Sequence, residues 1–213
     1  MKKIFLTGGN SILGKKLIET KPCEVYAPGR NELNLRDSEA VKNIDFTGFD
    51  TLIMLHRAGI GERYDFVDWP TEKLEYNLNV NVTNTMLLIQ RWFQHTQKGT
   101  VFFMGTSDIN EKCDYKLPYW TAKQMIINTL QSLRQTYSQC RIHTLNPASF
   151  EAKNKSIEDR KDIRTADNMA DIVWDMIKNN IAHMDVWNEM QEEQYNQFDS
   201  FDAKWSEAYK DHV

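Results

Sequence analysis

Lys3-Ile4-Phe5-Leu6-Thr7-Gly8-Gly9-Asn10-Ser11-Ile12-Leu13-Gly14 decides how this chain is read. A short apolar run stops on a glycine pair, and a helical pattern over 13–19 follows at once. A strand that turns on glycine into a helix brings the free N–H groups of the first helical turn, and their partial positive charge, to one point. Small residues there let a ligand approach the backbone. This is the local architecture of a pyrophosphate-binding turn. It makes Gly8, Asn10, Ser11, Ile12, Leu13 and Gly14 the first candidate cofactor residues, although the central glycine of the usual fingerprint is missing.

Outward from this turn, apolar runs alternate with helical patterns to the end of the chain. Strands are expected at 3–6, 24–27, 33–35, 51–55, 100–104, 141–145 and 183–187. The 51–55 run, Thr51-Leu52-Ile53-Met54-Leu55, is apolar almost throughout, as a parallel strand covered on both faces should be. Helices are expected from Asp37 or Ser38 to about Ile44, over about 71–94, from Pro118 to about Ser138, and over 166–178. In the 71–94 helix, Leu74, Leu78, Val82, Met86, Leu87 and Ile89 should face the core. The order is a succession of βα units without a composition break. It predicts one α/β domain over residues 1–190, a doubly wound parallel sheet of about seven strands with right-handed crossovers. Ligands then bind beyond the carboxyl ends of the strands, where strand order reverses. Residues 191–213 are polar with scattered aromatics. Phe201, Trp205 and Tyr209 are spaced by four, which predicts a terminal helix docked on the domain or on a twin subunit, or alternatively a lid over the site.

The 213 residues suffice for one well-buried core, and a net charge of −4 gives no support to nucleic acid or an anionic membrane as partner. No apolar run approaches the roughly 20 residues of a spanning helix. Cys23, Cys113 and Cys140 are odd in number and far apart, and read as reduced thiols of a cytoplasmic protein. No group of His, Cys, Asp and Glu has metal-ligand spacing.

Three further clusters carry chemistry. Tyr119 and Lys123 lie four apart on the expected 118–138 helix and share a face; Ser107 precedes the tyrosine by twelve residues, just past a strand. A tyrosine ordinarily titrates at about 10, and a neighbouring ammonium favours the phenolate. A shift of about 3 units requires roughly 4 kcal/mol of differential stabilisation, within reach of a close cation in a partly dry cleft. Next, His56-Arg57-Ala58-Gly59 ends the fourth expected strand at the cleft mouth; Ala58-Gly59 suits contact with a flat cofactor, while a histidine at a strand end often only bonds backbone. Arg30 follows the second strand, where Ala27 and Pro28 offer no carboxylate for ribose hydroxyls. Arg30, with Arg57 or Lys15, is placed to pair with a 2′-phosphate, which favours NADP over NAD.

Together these residues resemble the short-chain dehydrogenase/reductase superfamily, whose NAD(P)-binding Rossmann domain the likeness covers over about residues 3–188. Ser11 stands where the extended, epimerase-like subfamily has its middle glycine, and Ile12 where the shorter subfamily has it. Leu33-Asn34-Leu35-Arg36-Asp37 is similar to the family segment that contacts adenine, which makes Asn34 and Leu35 adenine contacts. Asn81-Val82-Thr83-Asn84-Thr85 resembles the Asn-Val-x-Gly-Thr helix motif, with Asn84 in place of glycine; by that likeness Asn81 holds a water in a proton relay. Ser107, Tyr119 and Lys123 match the catalytic serine, tyrosine and lysine, with Thr106 an alternative hydroxyl. Asn146-Pro147-Ala148 resembles the turn beside the nicotinamide, with alanine for glycine, and assigns Pro147 to the cofactor.

The resemblance implies hydride transfer between a nicotinamide cofactor and a small carbonyl or alcohol substrate. Tyr119 would act as acid or base. Lys123 would lower its pKa and bind the nicotinamide ribose, and Ser107 would position the substrate oxygen. It implies a homodimer or homotetramer built on the helices near 71–94 and 118–137. Two other readings stand beside it: a reductase, dehydratase or epimerase of nucleotide-linked sugars, opposed by the short charged stretch between Pro147 and Ala166, and a dinucleotide-binding regulatory protein without turnover.

Overall fold

The computed structural model of the protein describes residues 3–58, 64–106, 117–147 and 165–186. Ser107, Gly59, Cys113, the charged stretch before Ala166 and the aromatic tail lie outside them.

Among the described residues, six parallel strands form one sheet in the order β2-β1-β3-β4-β5-β6. They are β1 (Lys3–Thr7), β2 (Glu24–Tyr26), β3 (Thr51–Met54), β4 (Gly99–Met104), β5 (Cys140–Pro147) and β6 (His183–Val186). The chain winds from β1 outward to β2, then returns to β3 on the other side of β1. This reversal places the switch point over the carboxyl ends of β1 and β3, as the sequence implies.

Alternation along the buried strands feeds two cores. Ile4, Leu6, Ile53, Phe102 and Leu145 pack against α1 (Ile12–Glu19) and α6 (Ala166–Asn179), through Leu13, Leu17, Met169 and Val173. Phe5, Leu52, Met54, Val101 and Phe103 face α2 (Ser38–Lys42), α4 (Asn84–His95) and α5 (Leu117–Thr136), through Val41, Leu88, Trp92 and Ile126. Both faces are covered, which explains why the central strands read as continuous apolar runs.

Two expectations are corrected. Leu33-Asn34-Leu35 is not a strand, so the sheet has six strands rather than seven among the described residues. The N–H groups of Glu32 and Leu33 donate to Gly29 O at 3.0 and 2.9 Å, and the Asn34 side chain accepts from Arg36 N at 3.1 Å. Turn chemistry at Asn34 outcompetes a ladder, while Leu33 and Leu35 still reach the core.

The helix expected over 71–94 is not uniform. It runs as α3 (Thr71–Leu78), a π turn (Asn79–Thr83) and α4. The Thr85 hydroxyl donates to Val80 O at 3.0 Å, and the extra residue of the π turn rotates the buried stripe. Leu78 is consequently 37% exposed, while Asn77, Asn81, Asn84 and Thr85 are buried.

Candidate active site

The turn after β1 begins at Gly8, whose φ of 77° favours glycine. Ser11 caps α1: its hydroxyl accepts from Gly14 N at 2.9 Å and donates to Gly8 O at 2.8 Å. Substituting the missing central glycine with serine therefore gives the helix an ordinary side-chain cap. The N–H groups of Ile12 and Leu13 have no partner among the described residues and remain as donors at the helix start. Gly14 is the cradle that keeps this turn tight, because a Cβ there would collide with Gly8 O and with the Cα of Gly9. A tight glycine turn with two free amides at a helix N-terminus fits a pyrophosphate.

At the end of β3 the chain passes through His56, Arg57 and Ala58. The His56 ring is buried, with both nitrogens engaged by side chains. Its Nδ1 lies 2.7 Å from Thr7 Oγ1 and its Nε2 2.7 Å from Thr85 Oγ1. Burial, reinforced by the Lys123 charge, pushes its pKa down to about 3. Ala58 is held by two asparagines. Asn81 accepts from Ala58 N at 3.0 Å and donates to Ala58 O at 2.9 Å; Asn77 donates to the same carbonyl at 3.2 Å and accepts from Asn81 at 3.1 Å. The Asn81 side chain is thus a backbone clamp. Asn84, in the position of the motif's glycine, donates to Leu35 O at 2.8 Å and accepts from Ser38 Oγ at 2.7 Å.

Pro118 sits in the first turn of α5, and Tyr119 and Lys123 follow it on the buried face. The Lys123 side chain reaches the carboxyl ends of β3 and β4. Its Nζ donates to Met104 O at 2.8 Å and to His56 O at 3.2 Å. It lies 4.5 Å from the Phe103 ring centroid and 5.8 Å from that of Tyr119. Burial, with repulsion from Arg57, pushes its pKa down to about 7. Thr106 is buried just after β4, and Pro147 is buried at the end of β5. Tyr119, Lys123, Thr106, Ala58 and Gly8 thus come from distant parts of the sequence to the carboxyl edge of the sheet.

The expected adenine contacts are placed differently from one another. Asn34 is exposed and engaged in its own turn; Leu35 is half-buried and packs on the core. Arg30 and Arg57 are both exposed, and neither has an ion pair among the described residues. Sequence reasoning missed Thr7, Asn77 and Thr85. The available signal was polarity at positions that the strand and helix patterns bury.

Neither a protein-family model nor a curated protein matches the chain in sequence. Solved structures do match it. One is a small-chain dehydrogenase in complex with NADPH, at TM-score 0.73 and 18% identity, over 87% of this chain and 96% of that one. A short-chain dehydrogenase from Burkholderia cenocepacia in complex with NADP matches at TM-score 0.72 and 17% identity, over 87% and 96%. The 3-ketoacyl-(acyl-carrier-protein) reductase from Brucella melitensis, complexed with NADH, matches at 0.73 and 14%, over 87% and 96%. The molecule is a doubly wound α/β protein with its candidate site at the switch point. More narrowly, it shares its fold with these dehydrogenase and reductase structures.

Proposed function

We propose that this chain is an NAD(P)-dependent oxidoreductase acting on a small carbonyl or alcohol, with Tyr119 as its acid–base group. The observation that carries the reading is the placement of Lys123. An amine drawn into a nearly dry site and pushed to about 7 is a common mark of function. Here it stands one helical turn from a buried tyrosine at the carboxyl edge of a nucleotide-binding fold.

An ammonium has three protons. Two are directed to Met104 O and His56 O, which leaves one for a ribose hydroxyl or the Tyr119 oxygen. Bound nicotinamide supplies or accepts the hydride. Tyr119 gives a proton to the substrate oxygen in reduction and takes it back in oxidation, and the nearby Lys123 charge favours its phenolate. Ser107, or Thr106 beside it, holds the substrate oxygen. Ile12 N, Leu13 N and the Gly8–Gly14 turn hold the pyrophosphate.

NADP(H) is the preferred cofactor in this reading. The loop after β2 presents Arg30 to solvent, and Glu32 directs one carboxylate oxygen to Gly29 N at 2.8 Å. Two of the similar structures carry NADP or NADPH and one carries NADH. Among the described residues no helix is long and apolar enough to cross a membrane.

The test is a panel of aldehydes and ketones assayed for loss of NADPH absorbance, with Tyr119→Phe as control. Turnover by the wild type and its loss in the variant are expected. Tight NADPH binding without turnover on any substrate would instead favour the binding-only reading.

A further inference from the structure

His56 is a buried imidazole at the carboxyl edge of β3, and both of its nitrogens are engaged. The surrounding hydrogen bonds favour one tautomer, in which every short contact is satisfied. The Thr85 hydroxyl has a single proton and donates it to Val80 O at 3.0 Å, so at the ring it accepts. In this arrangement Nε2 of His56 carries the hydrogen, at 2.7 Å from Thr85 Oγ1. Nδ1 is then an acceptor, and the Thr7 hydroxyl donates to it at 2.7 Å, in preference to Ile53 O at 3.5 Å. The result is one directed chain: Thr7 to His56, His56 to Thr85, Thr85 to the Val80 carbonyl. A neutral ring is required throughout, in keeping with the depressed histidine pKa.

Each end of this chain meets a part of the candidate site. Thr7 is the residue before Gly8, where the positive-φ turn begins. Thr85 and Val80 frame the π turn that carries Asn81, the clamp on Ala58. The backbone oxygen of His56 itself supports the Lys123 ammonium. We propose that His56 is a positioning residue: one imidazole fixes both the backbone entering the glycine turn and the carbonyl rail on which Lys123 rests. It acts through these groups and does not touch substrate. The inference deepens the oxidoreductase reading and rests on it only for the meaning of Lys123.

The test follows Lys123 directly. In protein carrying isotope-labelled lysine, the midpoint of the buried amine is read by NMR in the wild type, Thr85→Val and Thr85→Ser, and NADPH binding by fluorescence quenching in all three. The valine removes the acceptor for Nε2–H while keeping the branched shape; the serine restores it. Thr85→Val should move the Lys123 midpoint upward by about one unit as the rail loosens and water enters, and weaken NADPH about fivefold. Thr85→Ser should stay near the wild type in both. An unchanged Lys123 midpoint in folded Thr85→Val overturns the proposal. If that variant does not fold, the ring nitrogens of labelled wild-type His56 decide: an Nε2–H tautomer supports the directed chain, and an Nδ1–H tautomer or titration near the ordinary histidine value breaks it. Absence of NADPH binding by the wild type would sink the oxidoreductase reading, while the lysine midpoint would still judge His56.

Discussion

The Nζ of Lys123 lies 5.8 Å from the ring centroid of Tyr119 but 2.8 Å from the backbone oxygen of Met104. The lysine is anchored to the sheet first and influences the tyrosine from that anchor. Tyr119→Phe removes the transferable proton and leaves this anchor alone. On an identified carbonyl substrate it should lower kcat by about a hundredfold or more while changing NADPH affinity little. A variant that keeps its rate would remove Tyr119 from the chemistry.

Burial of Lys123 also makes a prediction about stability. Its folded pKa, about 7, is below the unfolded value of 10.5. Between these values the unfolded chain holds more protons, so stability rises with pH across the window. Cys140 acts in the opposite sense: burial raises it from 9.0 to about 11, so its contribution falls with pH above 9.0. The clean interval is pH 7 to 9. There the ligand-free wild type should gain on the order of 2 kcal/mol in urea unfolding. Lys123→Met should flatten the profile, and an equal slope in the two proteins would contradict a buried, depressed amine.

The turn makes the next prediction. A Cβ at residue 14 would meet the Gly8 carbonyl and Gly9 backbone, neither of which is a flexible side-chain end. Gly14→Val should therefore lose measurable NADPH binding and several degrees of melting temperature. Gly48→Ala offers a control: its φ of 83° is also strained for alanine, yet nothing lies within 4 Å of the added carbon. It should cost about 1 kcal/mol and leave binding intact.

Arg30→Ala separates the cofactor preference from the rest. On the proposed reading the exposed guanidinium pairs with a 2′-phosphate, so the change should weaken NADPH about five- to tenfold and NADH hardly at all, a ratio readable by fluorescence titration at fixed salt. Equal loss for both cofactors would assign Arg30 elsewhere.

Most of the fold was legible because double-sided burial writes itself into sequence. Strands β3 and β4 must be apolar at successive positions, and their short length, β-branched and aromatic content and flanking turns set them apart from a buried helix. Leu33-Asn34-Leu35 misled for the opposite reason: two leucines reach the core from a turn that Asn34 makes locally. Tyr119 and Lys123 were legible from their spacing and from the strand–turn–helix upstream. The support beneath them was not. The partners of Thr7 and Thr85 at His56 lie 49 and 29 residues away, and nothing local announces such pairings. The same holds for the π turn, which depends on where Thr85 and Asn81 find carbonyls rather than on helix propensity.

Asn81 gives the remaining prediction, because two roles for it differ in what they cost. A residue that only held a water in a proton relay would, when truncated, lower kcat and spare stability. The geometry instead gives its amide both the N–H and the C=O of Ala58, with Asn77 as a second support to the carbonyl. Asn81→Ala leaves the Ala58 N–H without an acceptor in a buried place, a loss of about 2–3 kcal/mol. Asn81→Asp keeps that acceptor but turns the donor toward Ala58 O and Asn77 into a second acceptor, and it buries a charge. The melting temperature should therefore fall in both variants, further in the aspartate above its own pKa. If both keep the wild-type melting temperature and lose only kcat, the clamp is secondary and the relay role takes precedence.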